Sequence, residues 1–274
     1  KRNASAYLPI INKKVSEIDG IEEAKMAEIA YQNTIAIVNT AVNRGVEKML
    51  LPNIDVNSID AMMSAVEKYK GRCFPMIGLH PTSVKDDYAE QIENMENIFP
   101  FHKFIAIGEI GIDLYWDKTF IKEQIAAFKR QIGFATKNNL PVVIHARESF
   151  SEIFSVLEEL SENVIGIFHA FTGTVEDAQK AINMGFKLGV GGIITFKNAG
   201  LEKVLKSVTP HDIVLETDSP YLAPVPFRGK RNESAYLPII NKKVSEIYGI
   251  EEAKMAEIAY QNTIAIFNTA VMTV

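Results

Sequence analysis

Six polar residues interrupt or close otherwise apolar stretches of this chain. His80 closes MIGLHP, Glu109 interrupts AIGEIGID, and His145 and Arg147 close PVVIHAR. His169 closes IGIFHAF, and Asp218 ends IVLETD just before Ser219-Pro220. Two imidazoles and two carboxylates drawn from four strands make a mixed nitrogen and oxygen site suited to Zn²⁺, Mn²⁺ or Mg²⁺. Each residue alone has a plainer reading. A histidine at a strand end is ordinarily a hydrogen-bonded structural residue, and Asp218 also suits the cap of a helix starting at Pro220. Glu109 is harder to explain away, because a carboxylate inside an apolar run is costly to bury without a cation or donors. Five such residues at corresponding strand ends exceed what capping and packing explain. His102 in FPFHKF and His211 in TPHD precede strands, and read as structural or solvated.

For these residues to converge, the strands that carry them must run in one direction. Seven short runs have near-continuous apolar character, as strands buried on both faces of a parallel sheet do. They are VEKMLLPN (46–53), CFPMIGLHP (73–81), FIAIGEIGID (104–113), PVVIHARES (141–149), VIGIFHAF (164–171), FKLGVGGIITF (186–196) and DIVLETDSP (212–220). Amphipathic stretches separate them, among them SIDAMMSAVEKY, TFIKEQIAAFKRQIGFATKNN and SFSEIFSVLEEL. The second places Ile121, Ile125, Phe128, Ile132 and Ala135 on one helical stripe, with Asn138-Asn139 as its stop. The alternation predicts a parallel α/β fold, and a TIM-type (β/α) barrel would turn every strand's carboxyl end to one mouth. Seven strands are one short of the eight such a barrel needs.

Bulk composition limits the alternatives. The chain has 274 residues, 47% hydrophobic and 23% charged, enough apolar material for one large core. A net charge of −5 argues against a broadly basic nucleic-acid-coating surface, though not against a locally positive or metal-containing phosphate site. The single cysteine, Cys73, excludes an internal disulfide and fits a reducing, cytoplasmic setting. No apolar run reaches the length of about 18 residues that a membrane helix needs, and KRNASAY lacks the apolar region of a signal peptide. The sequence does not start with Met, so its true start is expected further upstream.

The chain also repeats itself. Residues 1–42 and 230–271 agree at 39 of 42 positions, differing only at Ala4/Glu233, Asp19/Tyr248 and Val38/Phe267. Each copy reads as two helices, SAYLPIINKKVSEI and EEAKMAEIAYQNTIAI, with a Gly at the turn; the β-branched tail TIAIV is also compatible with a strand. Near identity even at Lys13, Lys14, Glu22 and Glu23 favours recent copying over an old, diverged repeat.

GLHP, GEIGID, VVIHAR, FHAFTG and ETDSPYLAP, in this order and spacing, resemble the TatD family of metal-dependent deoxyribonucleases, which are amidohydrolase-like TIM barrels. The resemblance covers Gly45 to Phe267, and residues 1–274 are expected to form a single metal-hydrolase barrel domain. It implies that Glu109 is shared by two metal ions and that His145 and His169 bind one of them. Asp218 would bind the other and act as general base on the attacking water. His80, Arg147 and Arg228, in VPFRGKRN, would hold substrate phosphates, and Asp113 and Tyr115 would support the site or line the groove. The implied substrate is DNA, with no membrane partner. An amide or ester hydrolase of the same barrel group, or an inactive scaffold, is the alternative.

One part of the family pattern is missing. Its members begin with a strand ending in His-x-His, and no His-x-His occurs in this sequence. The copied helical pair runs instead directly into Asn43-Arg44-Gly45-Val46. The resemblance therefore predicts one well-held ion, a poorly held second ion, and activity reduced or lost. It also predicts that Ala30, Ile37 and Ala41 face inward in place of the first helix. The barrel would be partly open, and the chain a monomer or a helix-swapped homo-oligomer.

Overall fold

The computed structural model describes residues 38–160 and 163–267. Among these residues seven parallel strands alternate with helices, each strand inside one of the seven apolar runs. They are β1 (Met49–Leu51), β2 (Cys73–Pro75), β3 (Ile107–Asp113), β4 (Val142–Arg147), β5 (Gly166–His169), β6 (Phe186–Val190) and β7 (Ile213–Leu215). The principal helices are α1 (Ile59–Lys68), α2 (Tyr88–Ile98), α3 (Ile121–Lys137), α4 (Phe150–Leu160), α5 (Val175–Asn183), α6 (Leu201–Leu205), α7 (Leu237–Tyr248) and α8 (Glu252–Phe267). β3 to β7 form one sheet in chain order, β1 pairs with β2, and an Ile77–Ile107 bridge connects the two sets. Among the described residues no ladder joins β7 back to β1.

β1 and β2 have only three residues each, and Pro52 and Pro75 stand at positions whose amides the ladder between them does not use. In α3, Phe128, Ile132 and Ala135 are fully buried, and Ile121 and Ile125 pack against the core at the margin. Asn138 ends that helix and Asn139 turns into the left-handed region at φ 53°.

Alternation along the strands gives two apolar layers of different kinds. Ile144, Phe168 and Leu188 point outward beneath the helices and belong to the main core. Val143, Ile167 and Val214 point inward and join Phe74, Met76, Ile105 and Ala106 in a second cluster. Ile266 and Phe267, at the end of α8, close that inner cluster. Asn262 fixes α8 there, donating to the carbonyls of Pro210 and Ile213 at 2.8 and 2.7 Å.

The second copy of the repeat is two helices, with Gly249 in the left-handed region (φ 65°) at the turn. Its TIAIF tail is the last turn of α8, so there the strand alternative is set aside. The end of the first copy, residues 38–42, lies in a helical stretch that runs to residue 43 and packs against β1 and β2, with Val38 and Ala41 buried. Leu237 of the second copy leans on the same cluster. Ala30 and Ile37 lie outside the described residues.

Candidate metal centre

At their carboxyl ends the strands present polar side chains inward. The register pairs Gly111 with His145 and Asp113 with Arg147, while His145 pairs with His169. Glu109, two residues before Gly111, reaches the same mouth. Gly111 makes the approach possible. Its φ is +142°, and a Cβ there would lie 2.0 Å from the His145 carbonyl oxygen, so no larger residue fits between β3 and β4. His80 arrives from the turn after β2. Pro81 ends the extended segment, and His80 caps the short helical turn that follows.

Glu109 stands at the centre. Its Oε1 lies 3.0 Å from His145 Nδ1, 3.6 Å from His80 Nε2 and 3.9 Å from His169 Nε2. His169 Nε2 is also 3.6 Å from Asp218 Oδ1, so the five expected residues share one cluster. Ligand atoms of His80, Glu109 and His145 all fall within 4.8 Å of one another, a span one cation can bridge. His80, expected on substrate phosphates, therefore sits among the potential ligands. Asp218 caps no helix: the chain turns at Ser219-Pro220, and Tyr221 N–H donates to the Asp218 carbonyl.

The outer nitrogens of the three rings distinguish their roles. His145 Nε2 is bound by Asp113 Oδ2 at 2.9 Å, and His169 Nδ1 by Glu216 Oε2 at 2.8 Å. A carboxylate accepts, so each outer nitrogen carries the hydrogen and each inner nitrogen of the neutral ring is a lone pair facing the cluster. His80 is the reverse. Its Nδ1 accepts from Thr82 N–H at 3.1 Å, leaving the hydrogen of the neutral ring on Nε2, which points at Glu109 and His145. The donor set thus fits a cation through His145 and His169, with His80 better suited to donate.

Electrostatics follow the same geometry. Burial opposes ionisation of Glu109, yet the charges of His169 and His80 and hydrogen bonds from His145 and His80 hold its carboxyl well below the usual range. Burial likewise opposes protonation of His145, but Asp113 and Glu109 raise it to about 9. Against the same burial, Glu216, Glu109 and Asp218 push His169 well above the ordinary imidazole value. His80 is lowered by burial and by the neighbouring His145 charge. An anionic centre flanked by two imidazoles that favour their protonated form, His145 and His169, is a site prepared for a cation in exchange for protons.

Glu216 escaped the sequence reading, although it lies two residues before Asp218 in the segment that directly follows β7. It crosses β6 to reach His169 because Gly189 intervenes: a Cβ there would lie 2.6 Å from the Glu216 carboxylate. The other Glu216 oxygen accepts from Ala170 N–H, whose residue is held at φ 44°. Asp113 is buried and contacts the cluster directly. Arg147 ends β4 with its guanidinium 3.9 Å from the Tyr115 ring centre. Arg228 lies 4.4 Å over the Phe196 ring, on loops that follow β6 and β7, and makes no direct bond to the cluster. His102 and His211 are exposed and take no part. Burial pushes the Cys73 thiol up to about 11, so it is no nucleophile.

A parallel α/β array with imidazoles and carboxylates converging at its strand ends defines a metal-dependent hydrolase of barrel type. Residues 34–268 match the family described as TatD related DNase, and the chain belongs to it. It is 35% identical over 233 residues to YabD of Bacillus subtilis (strain 168), an uncharacterized metal-dependent hydrolase, covering 84% of this chain and 91% of that one. It is 29% identical over 251 residues to the 3'-5' ssDNA/RNA exonuclease TatD of Pectobacterium parmentieri, covering 87% of this chain and 95% of that one. Its fold matches that of YJJV, a TatD homolog from Escherichia coli K12, with a TM-score of 0.81 at 24% identity over 87% of this chain and 93% of the other. Among the described residues no helix is long and apolar enough to cross a membrane.

Proposed function

We propose that this hydrolase is a nuclease that cleaves phosphodiester bonds of DNA. The observation that carries the reading is the central placement of Glu109, in reach of three imidazoles, in a chain whose relatives include a named single-strand exonuclease. Divalent ions would lower the pKa of a water at the site and offset the charge of the phosphodiester. Glu109 would serve the ions as a shared carboxylate, and His145 and His169 would help to hold one of them. Asp218, whose side chain is 26% exposed, has the access to take the proton of the attacking water. The Nε2–H of His80 donates toward a phosphate oxygen, and Arg147 and Arg228 offer guanidinium edges to the same group. The buried Cys73 thiol suits a reducing cytoplasm.

An ion beside Asp218 would be held less well than one at Glu109, His145 and His169. No His-x-His pair accompanies Asp218, and its nearest imidazole, His169, is turned by Glu216 and shared with Glu109. These residues by themselves would hold one ion tightly and support only reduced turnover. The test is elemental analysis after dialysis, paired with hydrolysis of single-stranded DNA and of small carboxyl esters, with and without chelator. One ion per chain and chelator-sensitive DNA cleavage are expected. Ester cleavage alone would overturn the nuclease reading, and two ions with full nuclease turnover would overturn the asymmetry.

A further inference from the structure

The sequence LYWD directly after β3 places two large aromatic rings in solvent at the mouth: Tyr115 is 50% exposed and Trp116 is 66% exposed. They form an ordered surface. The rings meet edge to face at 4.9 Å and 89°. The Arg147 guanidinium covers both, 3.9 Å from the Tyr115 centroid and 5.2 Å from that of Trp116. Asp113 Oδ1 accepts from the backbone N–H groups of Tyr115 and Trp116 at 3.0 and 3.3 Å. The other oxygen of that carboxylate is the partner of His145 Nε2. One side chain therefore fixes both a cluster imidazole and the pair of rings.

We propose that Tyr115, Trp116 and Arg147 form a stacking platform for unpaired nucleobases beside the metal centre, which selects single strands over duplexes. The proposal rests on the nuclease reading and extends it to the form of the substrate. Among the described residues Arg147 has no carboxylate partner, so with its face on the rings its N–H edges are left for a phosphate. The chain carries a net charge of −5, which argues against a broadly basic face that would track a backbone. Stacking supplies affinity that does not depend on such a face, and it accepts every base because every base has a π-face. Bases inside a duplex already stack on each other and offer the platform nothing.

Trp116 is the only tryptophan in the chain, so its fluorescence reads the platform directly. The metal-loaded full chain is titrated with a cleavage-resistant phosphorothioate oligothymidylate, an abasic strand of equal length and a duplex. Strong quenching by the first and little by the other two is expected. In parallel, Trp116→Ala and Tyr115→Ala lower the ratio of kcat/KM for single-stranded DNA to that for bis(4-nitrophenyl) phosphate by about 5- to 100-fold, and Trp116→Phe restores most of it. Equal fluorescence with all three ligands, or an unmoved ratio in an enzyme that does cleave single strands, would overturn the platform and leave the nuclease standing. A wild-type chain that neither binds nor cleaves any nucleic acid would remove both.

Discussion

The inward face of the barrel changes character within two residues on β4, on β5 and at the end of β7. Val143 precedes His145, Ile167 precedes His169, and Val214 precedes Glu216. Lower down, the apolar members interlock and are closed by Ile266 and Phe267. At the mouth the same columns carry carboxylates and imidazoles within 2.8 to 3.9 Å of each other. The lower layer has no unsatisfied charge and contributes cohesion. The upper layer collects charge that a packed protein would avoid, tolerable because each ring nitrogen has a partner. The lower layer therefore answers for folding and the upper for chemistry, and substitutions in the two should fail in different ways.

The largest effect belongs at the top. Asp218→Asn keeps the shape and removes the acceptor for the water's proton, so kcat should fall by about 10²- to 10⁴-fold. Its melting temperature should stay near that of the wild type, measured by circular dichroism. A variant that unfolds instead would show that Asp218 belongs to the scaffold. The mirror experiment lies two layers of chemistry away: Ile167→Ala, in the inner apolar cluster, should cost roughly 2–5 kcal/mol in urea denaturation. Its kcat per folded molecule should hold, which active-site titration in the cold would check.

How much of this contrast the sequence made visible depends on the kind of signal. Strands buried on both faces write continuous apolar runs, and a carboxylate or imidazole inside one is conspicuous, so Glu109, His145 and His169 could be read directly. Glu216 could not, because its importance comes from Gly189 on the neighbouring strand, and that adjacency exists only once β5, β6 and β7 are in register. His80 was visible as a strand-end residue, but its different tautomer depends on the Thr82 amide in a turn. Trp116 carried no periodic signal at all, since exposure follows from the turn that Asp113 builds. The reading of Asp218 as a helix cap failed because Pro220 enters a turn and no helix follows.

A subtler pair of substitutions probes how the upper layer is held. Asp113→Asn and Glu216→Gln leave the inner nitrogens in place but exchange a charged acceptor for an amide. Each should weaken metal affinity by about 10- to 100-fold, measured by competition with a chromogenic chelator. Equal losses would mean that both imidazoles bind the tightly held ion. A loss confined to Asp113→Asn would assign that ion to the triad of His80, Glu109 and His145, and the role given to His169 would have to be revised.

The upper layer should also show a dependence on pH, with opposite signs in the metal-free and metal-loaded protein. Without metal, His145 is raised from an ordinary value of 6.5 to about 9 by its two carboxylates, against the opposing effect of burial. A group raised on folding stabilises the native state fully below its unfolded value. That contribution is lost as pH climbs through the folded one, so the melting temperature of the metal-free chain should decline between pH 6.5 and about 9. Metal requires the neutral ring and must displace the proton, so affinity should rise over the same window by about tenfold per pH unit for each proton released. His169, raised for the same reason by Glu216, Glu109 and Asp218, adds a second proton if it also binds the ion. A slope near two would therefore place both imidazoles on the metal, and a slope near one would leave one of them outside. Calorimetry in buffers of different ionisation enthalpy counts those protons. A flat profile would mean that the imidazoles of the upper layer are already neutral, and the electrostatic contrast with the apolar layer beneath would be much weaker than the geometry implies.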